Sequence, residues 1–102
     1  MPIALALLLL AGSAAAQDIQ TASRVEEGLV IATRWCAACH TVGPQGSGAD
    51  IAPTFDNIAA RRNSDDLRRF LAAPHAPMPR LDLSFGEIDA LVAYIESFDR
   101  GG

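Results

Sequence analysis

Cys36-Ala37-Ala38-Cys39-His40 packs two thiols and an imidazole into five consecutive residues, and this is the strongest constraint on the chain. Two residues between the cysteines let one turn of backbone present both sulfurs to the two vinyl groups of a haem, each forming a thioether. His40 then falls beneath the iron, where a ring nitrogen can act as proximal ligand. The C-x-x-C-H spacing is therefore a haem-attachment pattern. It commits the rest of the chain to supplying a second ligand, an apolar pocket and a suitable compartment.

Two other chemistries use the same residue types. Paired cysteines in an exported chain invite a disulfide. A redox-active C-x-x-C would want a βαβ context, and no strand pair is evident. Zinc needs four ligands, which Cys36, Cys39, His40 and His75 could nominally provide. Neither explains the apolar surroundings or the Met78-Pro79 segment, so haem accounts for more of the sequence.

The chain has 102 residues, enough for one domain. Ile3 to Ala11 is apolar and uncharged, and Gly12-Ser13-Ala14-Ala15-Ala16 ends in an A-x-A cleavage pattern. Residues 1–16 are expected to be a signal peptide cleaved before Gln17, leaving residues 17–102 as the domain in the periplasm. The apolar run falls short of the roughly 20 residues needed to span a bilayer. No Lys or Arg precedes it, so an N-terminal membrane tether is the alternative. A domain this small is near the limit for a self-sufficient core. A haem at its centre would add apolar contact, so the haem-free chain is expected to fold poorly.

Twelve acidic residues face eight arginines and no lysine, a formal net charge of −4. Such a chain suits neither nucleic acid nor an anionic membrane surface, and a redox partner that docks on it would present a basic face.

Helical periodicity dominates. Ser23 and Glu26 make a capping box opening a helix from about Arg24, with Val25, Gly28, Leu29 and Ala32 on one face. Residues 17–22 read as a polar lead-in. Residues 41–50 are rich in turn formers, and Ala52–Phe55 is extended before a short helical turn carrying Ile58. Ser64 caps the next helix, whose apolar face is Leu67, Phe70 and Leu71, and Pro74 stops it. His75-Ala76-Pro77-Met78-Pro79 holds a methionine in stiff, non-helical backbone. Ser84 and Glu87 form a second capping box for a last helix ending near Phe98, with Ile88, Leu91, Val92 and Ile95 inward, and Gly101 and Gly102 as a frayed tail. The fold class is all-α, with about four short helices.

These segments, in this order, resemble a small bacterial class I cytochrome c over residues 23–98. The resemblance rests on Gly28, the Cys36–His40 motif, Ala52-Pro53-Thr54-Phe55, Pro74–Pro79 and the helix containing Glu87 to Ile95. It implies short helices wrapped around one covalent haem c, with the first and last crossing at Gly28 against Leu91 and Tyr94. It implies that Cys36 and Cys39 hold the haem, that His40 is the proximal ligand, and that Met78 is the distal ligand, with His75 as the competitor. It also implies a proline carbonyl accepting from His40 Nδ1, Pro53 rather than Pro44, since such a partner fixes ring orientation. Trp35, Phe55, Phe70 and Tyr94 would pack around the macrocycle, with Arg62, Arg69 or Arg80 near its propionates.

Six-coordinate iron leaves no open site, and no nucleophile–base pair suggests catalysis. The expected function is a non-enzymatic periplasmic shuttle moving single electrons between redox proteins. One alternative is a haem subunit accepting electrons within a periplasmic dehydrogenase or oxidase complex, so the chain is either a monomer or such a subunit. The other is a gas-binding sensor with a labile or absent distal Met78.

Overall fold

Four helices follow one another in the computed structural model, which describes residues 2–43 and 46–101: α1 (Pro2–Trp35), α2 (Phe55–Arg61), α3 (Ser64–Ala72) and α4 (Phe85–Gly101). Among the described residues the β structure amounts to one isolated bridge between Thr41 and Gly48. The fold is all-α, and α4 is its hub, with α1, α2 and α3 each packed against it.

α1 begins well before the expected start at Arg24, so residues 17–22 are helical and Ser23 lies inside the helix rather than capping it. No Gly or Pro interrupts the chain between Ser13 and Gly28, and Ala14 to Ala16 are the strongest helix formers, so a helix propagates through. No helix among the described residues is long and apolar enough to cross a membrane.

The inward stripe of α1 is also shifted from its expected register. Gly28, Ile31 and Ala32 are buried and Val25 packs on the core, while Leu29 remains 40% exposed. The crossing with α4 explains this. A Cβ on Gly28 would overlap the Ala90 carbonyl oxygen and lie 2.6 Å from Tyr94 Cβ, so the two backbones touch there. Tyr94 meets Gly28 as expected, and Ala90 is the nearest neighbour beside it. Leu29 is about 100° around the helix from that contact, and Ile31 only about 60°.

Local caps fix the other helices. Thr54 accepts from the Asn57 N–H at 3.3 Å and starts α2. The α3 cap is Asn63, not the expected Ser64: its side chain accepts from the Asp66 N–H at 2.9 Å. Ser64 instead donates to Glu96 of α4. Arg68 adds a 3.1 Å ion pair to Asp89, and Leu67 and Leu71 bury the α3 apolar face. At α4 the expected capping box forms in both directions, with Ser84 N–H donating to Glu87 at 2.9 Å and Glu87 N–H donating to Ser84 Oγ at 3.1 Å. Ile88, Leu91, Val92 and Ile95 are buried as their spacing predicts. The helix continues past Phe98 to Gly101, and Gly102 lies outside the described residues.

Candidate functional site

The motif winds on directly from α1. Cys36 N–H donates to the Ala32 carbonyl at 2.8 Å, and the Cys39 and His40 N–H groups both donate to the Cys36 carbonyl, at 3.2 and 3.0 Å. Residues three and four apart on such a turn share a face, which gathers Cys36, Cys39 and His40. Cys36 is buried, Cys39 half-buried, and their thiols are not joined. Burial, followed by the neighbouring Cys39, pushes the Cys36 thiol up to about 11, so it is a neutral thiol at neutral pH. Although they share a face, Cys36, Cys39 and His40 do not form a group that could hold a metal ion, and no other three His, Cys, Asp or Glu among the described residues do.

The described residues between His40 and α2 are tied back to this turn and to Thr41. Ala49 N–H donates to the Ala37 carbonyl at 2.9 Å, Ala52 N–H to the Cys39 carbonyl at 2.8 Å, and Phe55 N–H to the Thr41 carbonyl at 3.0 Å. The Thr41 hydroxyl donates to the Ala49 carbonyl at 2.9 Å. Gly48 makes this possible: its φ is +104°, and a Cβ there would run into the His40 carbonyl.

The outcome is that the Pro53 carbonyl sits 2.6 Å from His40 Nδ1. A carbonyl can only accept, so Nδ1 carries a proton, and Nε2 is the ring nitrogen left to act as a ligand. Pro44, the other candidate acceptor, lies outside the described residues. Phe55, 4% exposed, stands beside the imidazole with ring centroids 5.5 Å apart.

Tyr94 locks the loop to α4. Its hydroxyl donates to the Val42 carbonyl at 2.5 Å, and its ring meets Phe55 at 6.1 Å and Phe98 at 5.2 Å. Desolvation raises its phenol above the ordinary tyrosine range. Sequence reasoning placed Tyr94 near the haem but missed Val42, which is only 2% exposed. A lone β-branched residue in a stretch of turn formers was the available signal.

Met78 is half-buried against the core, and its N–H donates to the His75 carbonyl at 3.1 Å. Phe70, at the end of α3, meets the His75 ring edge-on at 5.2 Å. Trp35 is 52% exposed with the Arg34 guanidinium 5.1 Å above its ring. Of the candidate propionate neighbours, Arg69 pairs with Asp66 at 2.8 Å and Arg80 is exposed. Arg62 lines a cleft of about 510 Å³ at the α2–α3 junction that contains none of the motif residues.

This donor set fits a covalently held haem. Two unjoined thiols on one turn can each form a thioether, an imidazole is held with Nε2 free to ligate, and a thioether sulfur lies in a partly apolar setting. Comparison with known proteins agrees. Residues 25–99 match the family model described as Cytochrome c. The chain is 42% identical over 74 residues to cytochrome c-552 of Bradyrhizobium diazoefficiens, covering 69% of this chain and 70% of that protein. No solved structure matches it. The motif, the four-helix wrap and these similarities converge: a chain with one covalently bound haem c, working in electron transfer rather than catalysis, this protein belongs to the cytochrome c family as a small class I member.

Proposed function

We propose that this cytochrome is a periplasmic shuttle that takes one electron from a donor protein and gives it to an acceptor, without joining a permanent complex. The observation that carries the reading is the Pro53 carbonyl at 2.6 Å from His40 Nδ1, because it orients one ring nitrogen for ligation and holds it there. Haem c, when bound, supplies a one-electron Fe³⁺/Fe²⁺ couple. Cys36 and Cys39 anchor it through thioethers on one turn. With haem bound, His40 Nε2 and the Met78 sulfur would be the iron's protein ligands, and a soft thioether donor would favour the ferrous state and raise the potential.

The surrounding residues hold the proximal side in place. Phe55 is buried against one side of the imidazole, and Tyr94 is buried behind Phe55. The hydrogen bonds from Ala49, Ala52 and Phe55 hold the proximal loop rigid, so His40 has little freedom to move between oxidation states. The A-x-A pattern at Ala14–Ala16 supports export with cleavage before Gln17. The acidic surface, net −4, favours partners with a basic docking face.

Redox titration and gel filtration of natively matured protein test this together. A reversible one-electron couple, a monomeric elution volume and ferrous protein that ignores carbon monoxide at neutral pH are expected. Co-elution with a dehydrogenase or oxidase would replace the free shuttle with a complex subunit. Rapid carbon monoxide binding would replace it with a gas-binding protein.

A further inference from the structure

The prolines stiffen the segment carrying Met78, but stiffness alone does not fix where that segment sits. His75, Ala76, Pro77 and Pro79 are exposed, and the prolines lack N–H groups with which to tie the chain down. Two contacts fix its position. The Met78 N–H donates to the His75 carbonyl at 3.1 Å, closing a turn that makes Met78 and His75 move together. The His75 ring then meets Phe70 edge-on, centroids 5.2 Å apart and planes at 79°, the favoured geometry for an aromatic pair.

Phe70 is a firm base for that contact. It belongs to α3, which is fastened to α4 by Ser64 to Glu96, by Arg68 to Asp89, and by the buried Leu67 and Leu71. A mechanical path therefore runs from the α4 hub through α3 and Phe70 to His75, and from its carbonyl to Met78. We propose that His75 is a positioning residue: its ring, packed on Phe70, holds the Met78 turn so that the sulfur stays at the iron. The inference rests on Met78 being the distal ligand and adds to that reading a specific means of keeping it in place. His75 thereby has a role other than the ligand its residue type first suggests.

A residue that merely stabilised the fold would not change how readily the sulfur leaves. Binding of imidazole to the ferric, natively matured protein measures that, because the added ligand enters only when Met78 departs. His75→Ala removes the ring and keeps the backbone carbonyl; His75→Phe restores an aromatic edge that cannot ligate through nitrogen. Expected is a three- to tenfold gain in imidazole affinity, roughly, for His75→Ala, with a weaker far-red ferric band and a return to wild-type behaviour in His75→Phe. His75→Ala matching wild type, or His75→Phe matching His75→Ala, would overturn the positioning role. Met78→Ala run alongside separates the two claims: it should lose the band entirely and bind imidazole most tightly. If its spectrum is unchanged, the distal assignment falls and the positioning role with it.

Discussion

The Tyr94 hydroxyl donates to the Val42 carbonyl at 2.5 Å, joining the last helix to the loop that follows the haem motif. These residues are far apart in sequence, yet both are buried, and the bond satisfies a carbonyl that would otherwise be shut away from water. It fixes the loop bearing Pro53 against the helix that crosses α1, so the proximal side and the helix crossing form one unit.

Removing that hydroxyl should therefore be felt. Tyr94→Phe keeps the ring contacts with Phe55 and Phe98 but leaves the Val42 carbonyl unpaired, and is expected to cost about 1–2 kcal/mol in denaturant unfolding. Unfolding at wild-type denaturant concentration would show that the bond contributes nothing.

The same phenol gives an alkaline signature. Burial raises its folded pKa above the unfolded value near 10, so its stabilisation is complete below pH 10 and is lost as pH climbs through the folded pKa. The chain has one tyrosine and no lysine, and the thioethers remove both thiols, so few other side chains titrate there. Wild-type stability should fall as pH rises above about 10, while that of Tyr94→Phe stays nearly flat over the same range. Parallel declines would assign the effect to another group.

Two helical glycines should respond with opposite signs. Gly28→Ala places a methyl into the Ala90 carbonyl and is expected to destabilise by about 2 kcal/mol or more, despite alanine's better propensity. Gly86, at the start of α4, has only Ser84 Oγ at 3.9 Å from an added Cβ. Gly86→Ala should be neutral or stabilising by up to about 1 kcal/mol. Thermal unfolding of the two variants checks this, and equal shifts would contradict the close crossing.

Haem and fold should be coupled. The Cys36→Ala/Cys39→Ala variant cannot form thioethers, and a domain this small has little core to spare. Its circular dichroism is expected to show less helix than the matured protein, with a broad rather than cooperative melt. Full native helicity and a sharp melt would show that side chains alone support the fold.

Much of this was legible in the sequence. Ile88, Leu91, Val92 and Ile95 repeat at helical spacing between a capping box and the chain end, and α4 follows almost residue for residue. The α1 face was less legible, because Val25, Leu29 and Ile31 are all apolar and periodicity cannot choose between neighbouring sides. The crossing at Gly28 makes that choice, and it depends on α4. Asn63 and Ser64 are both good capping residues one position apart; the Glu96 carboxylate draws Ser64 away and leaves the cap to Asn63. The start of α1 was hidden because Ser23 and Glu26 spell a capping box that a continuous helix does not use. The Tyr94–Val42 bond spans most of the domain, and local pattern carries no trace of it.

Electron transfer as proposed needs His40 and Met78 both bound to the haem iron. The optical spectrum of natively matured ferric protein, recorded for wild type and for Met78→Ala, addresses this most directly. The account predicts a weak far-red band from the sulfur–iron bond in wild type, its disappearance in the variant, and haem that stays on the chain after denaturation in both. A band that survives the substitution, or haem that washes away on unfolding, would contradict it.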